Sequence, residues 1–77
     1  MPRLYSSDEI ASVLLAAGFV FVRQRGSHQI WRREGVGDED TRMVVLQANR
    51  RQIPRGTFRS ILRQAGLDEA RFLTLLD

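Results

Sequence analysis

The sequence predicts an α+β two-layer sandwich of order α-β-β-β-α, with a three-stranded antiparallel sheet and an extra short C-terminal helix. Three observations carry this. Two segments, near 7–17 and 57–65, place apolar residues at i, i+3, i+4 and i+7, one face of a helix. Between them lie three runs rich in aromatic and β-branched residues, the composition of strands. The links between those runs are short, which makes a meander the simplest connection. One sheet with both helices on the same face then buries both apolar stripes and leaves its other face free.

Taken in order, Ser6 and Glu9 have the spacing of a capping box and start helix one. Ile10, Val13, Leu14 and Ala17 form its apolar stripe, and Gly18 suits the left-handed position that closes a helix. Phe19 to Arg25 reads as strand one, Gly26-Ser27 as a turn and His28 to Arg33 as strand two. Gly35 to Asp40 is a polar hairpin loop, and Met43 to Leu46 is a short third strand. Asn49 to Arg55 is an irregular basic loop containing Pro54. Gly56-Thr57 is the expected N-cap of the next helix. Phe58, Ile61, Leu62 and Ala65 repeat the stripe, with Arg59 and Arg63 off it, and Gly66 ends the helix. Asp68 caps a last short helix through Phe72, Leu73 and Leu76, expected to cover the edge of the core.

The length of 77 residues allows one domain, 1–77, with one small core. A chain of this size buries roughly 60% of its unfolded surface. That excludes a multi-domain enzyme, a Rossmann-type cofactor domain and a large internal cavity. With no Cys there is no disulfide framework and no thiolate zinc site. One His cannot build a multi-histidine metal centre, so no metal and no cofactor are expected. No apolar stretch approaches the ~20 residues of a membrane span. No secretory signal is recognisable, so a soluble, cytoplasmic protein is expected.

Basic residues outnumber acidic ones by 12 to 9, and all twelve are Arg. The distribution is lopsided. From Ile10 to Arg33 there is no acid, while Arg23, Arg25, Arg32 and Arg33 lie inside. From Thr41 to Leu67 there is again none, while Arg42, Arg50, Arg51, Arg55, Arg59 and Arg63 lie inside. The acids gather at two helix starts, where the macrodipole favours them, at the Glu34-to-Asp40 tip and at Asp77. The arginines are left to define basic surfaces, which attract polyanions and nucleic acid first. Codon usage in a GC-rich genome accounts for Arg over Lys equally well, but not for the acid-free segments. The planar guanidinium also grips phosphate oxygens in pairs.

The only histidine, His28, follows the Gly26-Ser27 turn and is flanked by Arg23, Arg25, Arg32 and Arg33. Histidine is the side chain suited to proton transfer near neutral pH. Gly26 lets backbone approach a ligand closely, and adjacent N–H groups at Gly26 and Ser27 can meet a phosphate oxygen. Nearby arginines stabilise a phosphodiester in its transition state. RNA brings its own nucleophile, the 2′-hydroxyl, so cleavage needs only a proton acceptor, charge stabilisation and positioning. Taken alone, a histidine after a turn is more often just a polar strand residue. Trp31 reads as a core or partner contact more readily than as a base-stacking platform. Strand alternation puts His28 on the side of Ile30 and opposite Trp31. Which of those sides is the core stays open in the sequence.

Several stretches together resemble the HicA, or YcfA-like, toxins of bacterial toxin–antitoxin pairs. They are Gly18-Phe19 after an amphipathic helix, then Arg23 to His28, then Ile53-Pro54-Arg55-Gly56-Thr57 leading through Ile61, Leu62, Gln64 and Ala65 to Gly66-Leu67. The likeness spans roughly Ser7 to Leu67. It implies a fold like the double-stranded-RNA-binding domain and an mRNA-cleaving toxin whose catalytic histidine is His28. It also implies a HicB-type antitoxin that covers the basic face and the histidine. Many family members carry a Pro and a second His just after strand three. Here that stretch reads Leu46-Gln47-Ala48-Asn49, with neither.

The leading expectation is therefore a ribonuclease toxin. His28 is its general acid or base, and Arg23 and Arg25 lie near the scissile phosphate. Arg50, Arg51, Arg55 and Arg59 track the RNA backbone, and the N–H groups of Thr57 and Phe58 face a phosphate. The alternatives are a non-catalytic RNA-binding module that reads A-form shape and a protein-interaction domain whose arginines pair with an acidic partner.

Overall fold

A computed structural model of the chain describes residues 3–76, so Asp77 lies outside the described residues. The elements are α1 (Ser7–Ala16), β1 (Val20–Arg25), β2 (His28–Arg33), β3 (Arg42–Gln47), α2 (Arg55–Ala65) and α3 (Glu69–Leu76). The strands form one antiparallel sheet in the order β1-β2-β3. This is the expected α+β arrangement with one added helix.

The helix ends follow from local hydrogen bonding. The Glu9 N–H donates to the Ser6 hydroxyl at 3.1 Å, and the Ser6 N–H donates to the Glu9 carboxylate at 3.0 Å. That capping box satisfies donors which helix geometry leaves orphaned. At the far end of α1, the N–H groups of Gly18 and Phe19 donate to the carbonyls of Leu15 and Leu14. The end of α2 repeats this pattern around Gly66, whose φ of +72° is a left-handed conformation that favours glycine. Asp68 caps α3 through its carboxylate, which accepts the Arg71 N–H at 2.7 Å.

The start of α2 differs from the expectation. Its N-cap is Pro54, and Gly56 and Thr57 lie inside the first turn. The fixed φ of Pro54, at −56°, suits a residue that leads into a helix. Arg55, now the first helical residue, pairs with Glu69 of α3 at 2.5 Å and lies over the Phe58 ring.

One face of the sheet presents Trp31, Val44 and Leu46 to α1 and α2. Ile10, Val13, Leu14, Phe58, Ile61, Leu62 and Ala65 meet them from the helices. The other sheet face carries no helix. The helices lie over β3, and every residue of β1 is exposed. Phe72 of α3 is 1% exposed and packs with Tyr5 and Phe58, ring centroids 4.8 and 4.9 Å away. Burying such a ring stabilises by about 1.5–3 kcal/mol. The C-terminal helix therefore does cover the edge of the core.

Candidate active site

The β1–β2 hairpin closes through Gly26 and Ser27. Gly26 has φ of +58°, the left-handed region a tight turn requires, and a Cβ there would meet nothing within 4 Å. The turn is braced from two sides. The Gln24 side-chain amide donates to the Gly26 carbonyl at 2.9 Å, and the Ala48 N–H donates to the Ser27 carbonyl at 2.7 Å. The second bond ties the turn to the chain leaving β3.

His28 is exposed at the start of β2, and the register fixes its neighbours. It pairs with Arg25 on β1 and with Gln47 on β3. Cross-strand partners share a face and bring their Cβ atoms to about 4.5–5.5 Å. Trp31 is buried on the helix-covered face, so alternation places Ile30 and His28 on the open one. The side that the sequence left undecided is thus the open face. Trp31 is core, with its indole N–H donating to Gln29 at 3.1 Å.

A bulge decides where the arginines of β1 go. Phe21 pairs with Trp31, but Arg23 pairs with Ile30, so Val22 is the extra residue. Strict alternation from Phe21 would have put Arg23 and Arg25 on the helix side. The bulge moves both to the open face beside His28.

The loop after β3 is held against the same turn. Ser7 is the buried polar residue of the described chain, at 4% exposure. Its hydroxyl donates to the Gln47 carbonyl at 2.5 Å and accepts the Arg50 N–H at 3.0 Å. Its own N–H donates to the Arg50 carbonyl at 2.9 Å. Between these anchors Asn49 adopts φ of +61°. Arg50 and Arg51 follow, both exposed, just beyond the rung that holds His28.

The structure thus gathers His28, Arg23, Arg25, Gly26 and Ser27 at one end of the sheet, with Arg50 and Arg51 on a loop bonded to that end. It does not bring the remaining expected residues there on equal terms. Arg55 is paired with Glu69. Arg59 is exposed on α2, which packs on the other side of the sheet. The Phe58 N–H is already bonded to the Pro54 carbonyl at 2.9 Å. At the start of α2 the donors left over belong to Arg55, Gly56 and Thr57.

Besides Arg32, paired with Glu34, and Arg55, two arginines from the acid-free segments bond to backbone carbonyls. Arg33 donates to the Ala17 carbonyl at 3.3 Å and lies over the Phe19 ring. Arg42 donates to the Gln64 carbonyl at 3.4 Å and lies against Gly66. Each puts a cation at a helix C-terminus, where the macrodipole favours it. Sequence reasoning also missed Gln47 and Ser7. Gln47 is found only from the β2–β3 register, which the loop at 34–41 does not reveal.

Chemically the site is one imidazole flanked by guanidinium groups on a solvent-facing sheet end. It offers a proton carrier and anion-binding donors side by side. No curated protein matches the chain. A family model described as the HicA toxin of bacterial toxin–antitoxin systems matches residues 7–67. That span runs from α1 through the hairpin and α2 and stops before α3. Covering most of the 77 residues, the match shows that the chain belongs to the HicA toxin family of bacterial toxin–antitoxin systems.

Proposed function

We propose that this toxin is a metal-independent endoribonuclease that cleaves mRNA, with His28 as its proton-transfer group. The observation that carries the reading is the rung in which His28 stands between Arg25 and Gln47 on the open face. His28 takes the proton from a ribose 2′-hydroxyl. The freed oxygen attacks phosphorus, and the bond to the 5′-oxygen of the next nucleotide breaks. That oxygen receives a proton from the imidazolium, and a 2′,3′-cyclic phosphate remains. Arg25 and Arg23 hold the non-bridging oxygens as charge grows on them. The Gly26 and Ser27 backbone lies open to the same phosphate, and Arg50 and Arg51 follow the strand beyond it. Arg59, on α2 across the sheet, stands off this track, and Arg55 contributes least because Glu69 already holds it.

The reading places the protein in the cytoplasm, as one domain over 1–77, restrained by a HicB-type antitoxin. Support for a protein partner comes from the open face itself. Val20, Met43 and Val45 stand there about half exposed. An apolar centre beside arginines suits a partner with an apolar core and an acidic rim.

The test is cleavage of mRNA by purified protein in the presence of a chelator. Cleavage that leaves cyclic-phosphate ends and is lost in His28→Ala is expected. Binding without cleavage would favour the RNA-binding module instead, and equal cleavage by His28→Ala would sink the role of His28.

A further inference from the structure

The rung at the turn holds three unlike groups: a cation at Arg25, an imidazole at His28 and a neutral amide at Gln47. The amide is the one not yet accounted for. Three other glutamines of the fold commit theirs to the protein, and Gln52, which has no side-chain bond among the described residues, lies off the sheet on the loop after β3. Gln24 bonds the Gly26 carbonyl, Gln29 accepts from Trp31, and Gln64 accepts the Val45 N–H. Gln47 is held only through its backbone, whose carbonyl accepts from the buried Ser7 hydroxyl. The same hydroxyl fixes the Arg50 N–H, so the chain on either side of Asn49 is anchored to α1. Among the described residues the side chain has no hydrogen-bond partner, while its backbone is anchored.

A guanidinium has donors only, which suits a phosphate with its acceptors. An amide has a donor beside an acceptor, the pattern that the edges of nucleobases display. Single-stranded RNA exposes those edges. On the far side of His28 from Arg25 the rung leaves Gln47, with Arg50 and Arg51 next along the chain, open to the nucleoside attached to a phosphodiester held at Arg25. We infer that Gln47 reads the nucleobase beside the bond that is broken and is a specificity-determining residue. The inference rests on the ribonuclease reading above.

The experiment uses four short single-stranded RNAs that differ in one nucleotide at the mapped cleavage position. Wild-type protein is expected to separate the best from the worst by tenfold or more in kcat/KM. In Gln47→Leu that ratio collapses to within about threefold, with the unfolding midpoint unchanged. A ratio that survives Gln47→Leu, or a wild type that cleaves all four equally, overturns the inference. A parallel arm separates this from failure of the ribonuclease reading. The four RNAs are bound at equilibrium to His28→Ala and to the double variant His28→Ala with Gln47→Leu. Loss of base preference in the double variant upholds the role of Gln47 even if cleavage is not found. An equal preference in both overturns it even if cleavage is.

Discussion

The two ends of the sheet both carry arginines, and they use them in opposite ways. At one end Arg33 and Arg42 form the last rung of β2 and β3. Both turn inward and donate to carbonyls at the C-terminal ends of α1 and α2. At the other end Arg25 flanks His28, and Arg23 stands one rung back on the same face. Neither has an internal partner among the described residues. A guanidinium whose donors are met by protein carbonyls holds the scaffold together. One whose donors meet only water is available to a polyanion. Position along one sheet, rather than residue type, separates the arginines bonded to carbonyls from those without a partner among the described residues.

The largest effect that sharpens this contrast is at His28. His28→Ala should lower cleavage about 100- to 10,000-fold and leave thermal unfolding almost unchanged, because the side chain is exposed. Phe72→Ala should do the reverse. Removing a buried ring costs about 3–5 kcal/mol, a large part of the stability of so small a fold. Denaturant unfolding measures that loss, while RNA affinity of the folded fraction is retained. Arg25→Ala should weaken RNA binding and lower the slope of log affinity against log salt by about 0.7 for single-stranded RNA, with unaltered stability. The smallest effect is at the opposite end. Arg42→Ala should cost about 0.5–1.5 kcal/mol in urea unfolding and leave the salt slope of RNA binding where it was. A salt slope that falls for Arg42→Ala and not for Arg25→Ala would break the contrast.

Much of this fold is written in local signals. The Ser6–Glu9 box, Gly18 and Gly66 mark helix boundaries through bonds made within a few residues, and all three act as expected. What escaped depends on contacts between distant segments. The first residue of α2, Arg55, pairs with Glu69, fourteen residues away, a contact that no local pattern marks. The Val22 bulge follows from how β1 seats on β2, and nothing in the run from Val20 to Arg25 marks which residue is extra. The histidine and its flanking arginines were legible as a cluster around one turn. Their shared face was not, since a single extra residue inverts everything beyond it. Gln47 was invisible for the same reason, as only the strand register brings it opposite His28.

The central claim is that RNA meets the turn end of the open face and not the end built on Arg33 and Arg42. The direct measurement is an NMR titration of isotope-labelled protein with RNA made uncleavable by 2′-O-methylation. Resonances of Arg23, Arg25, His28, Gln47, Arg50 and Arg51 should shift together and saturate at one stoichiometry, while those of Arg33 and Arg42 stay in place. Shifts centred on Arg33 and Arg42, with the His28 rung unmoved, would contradict the account.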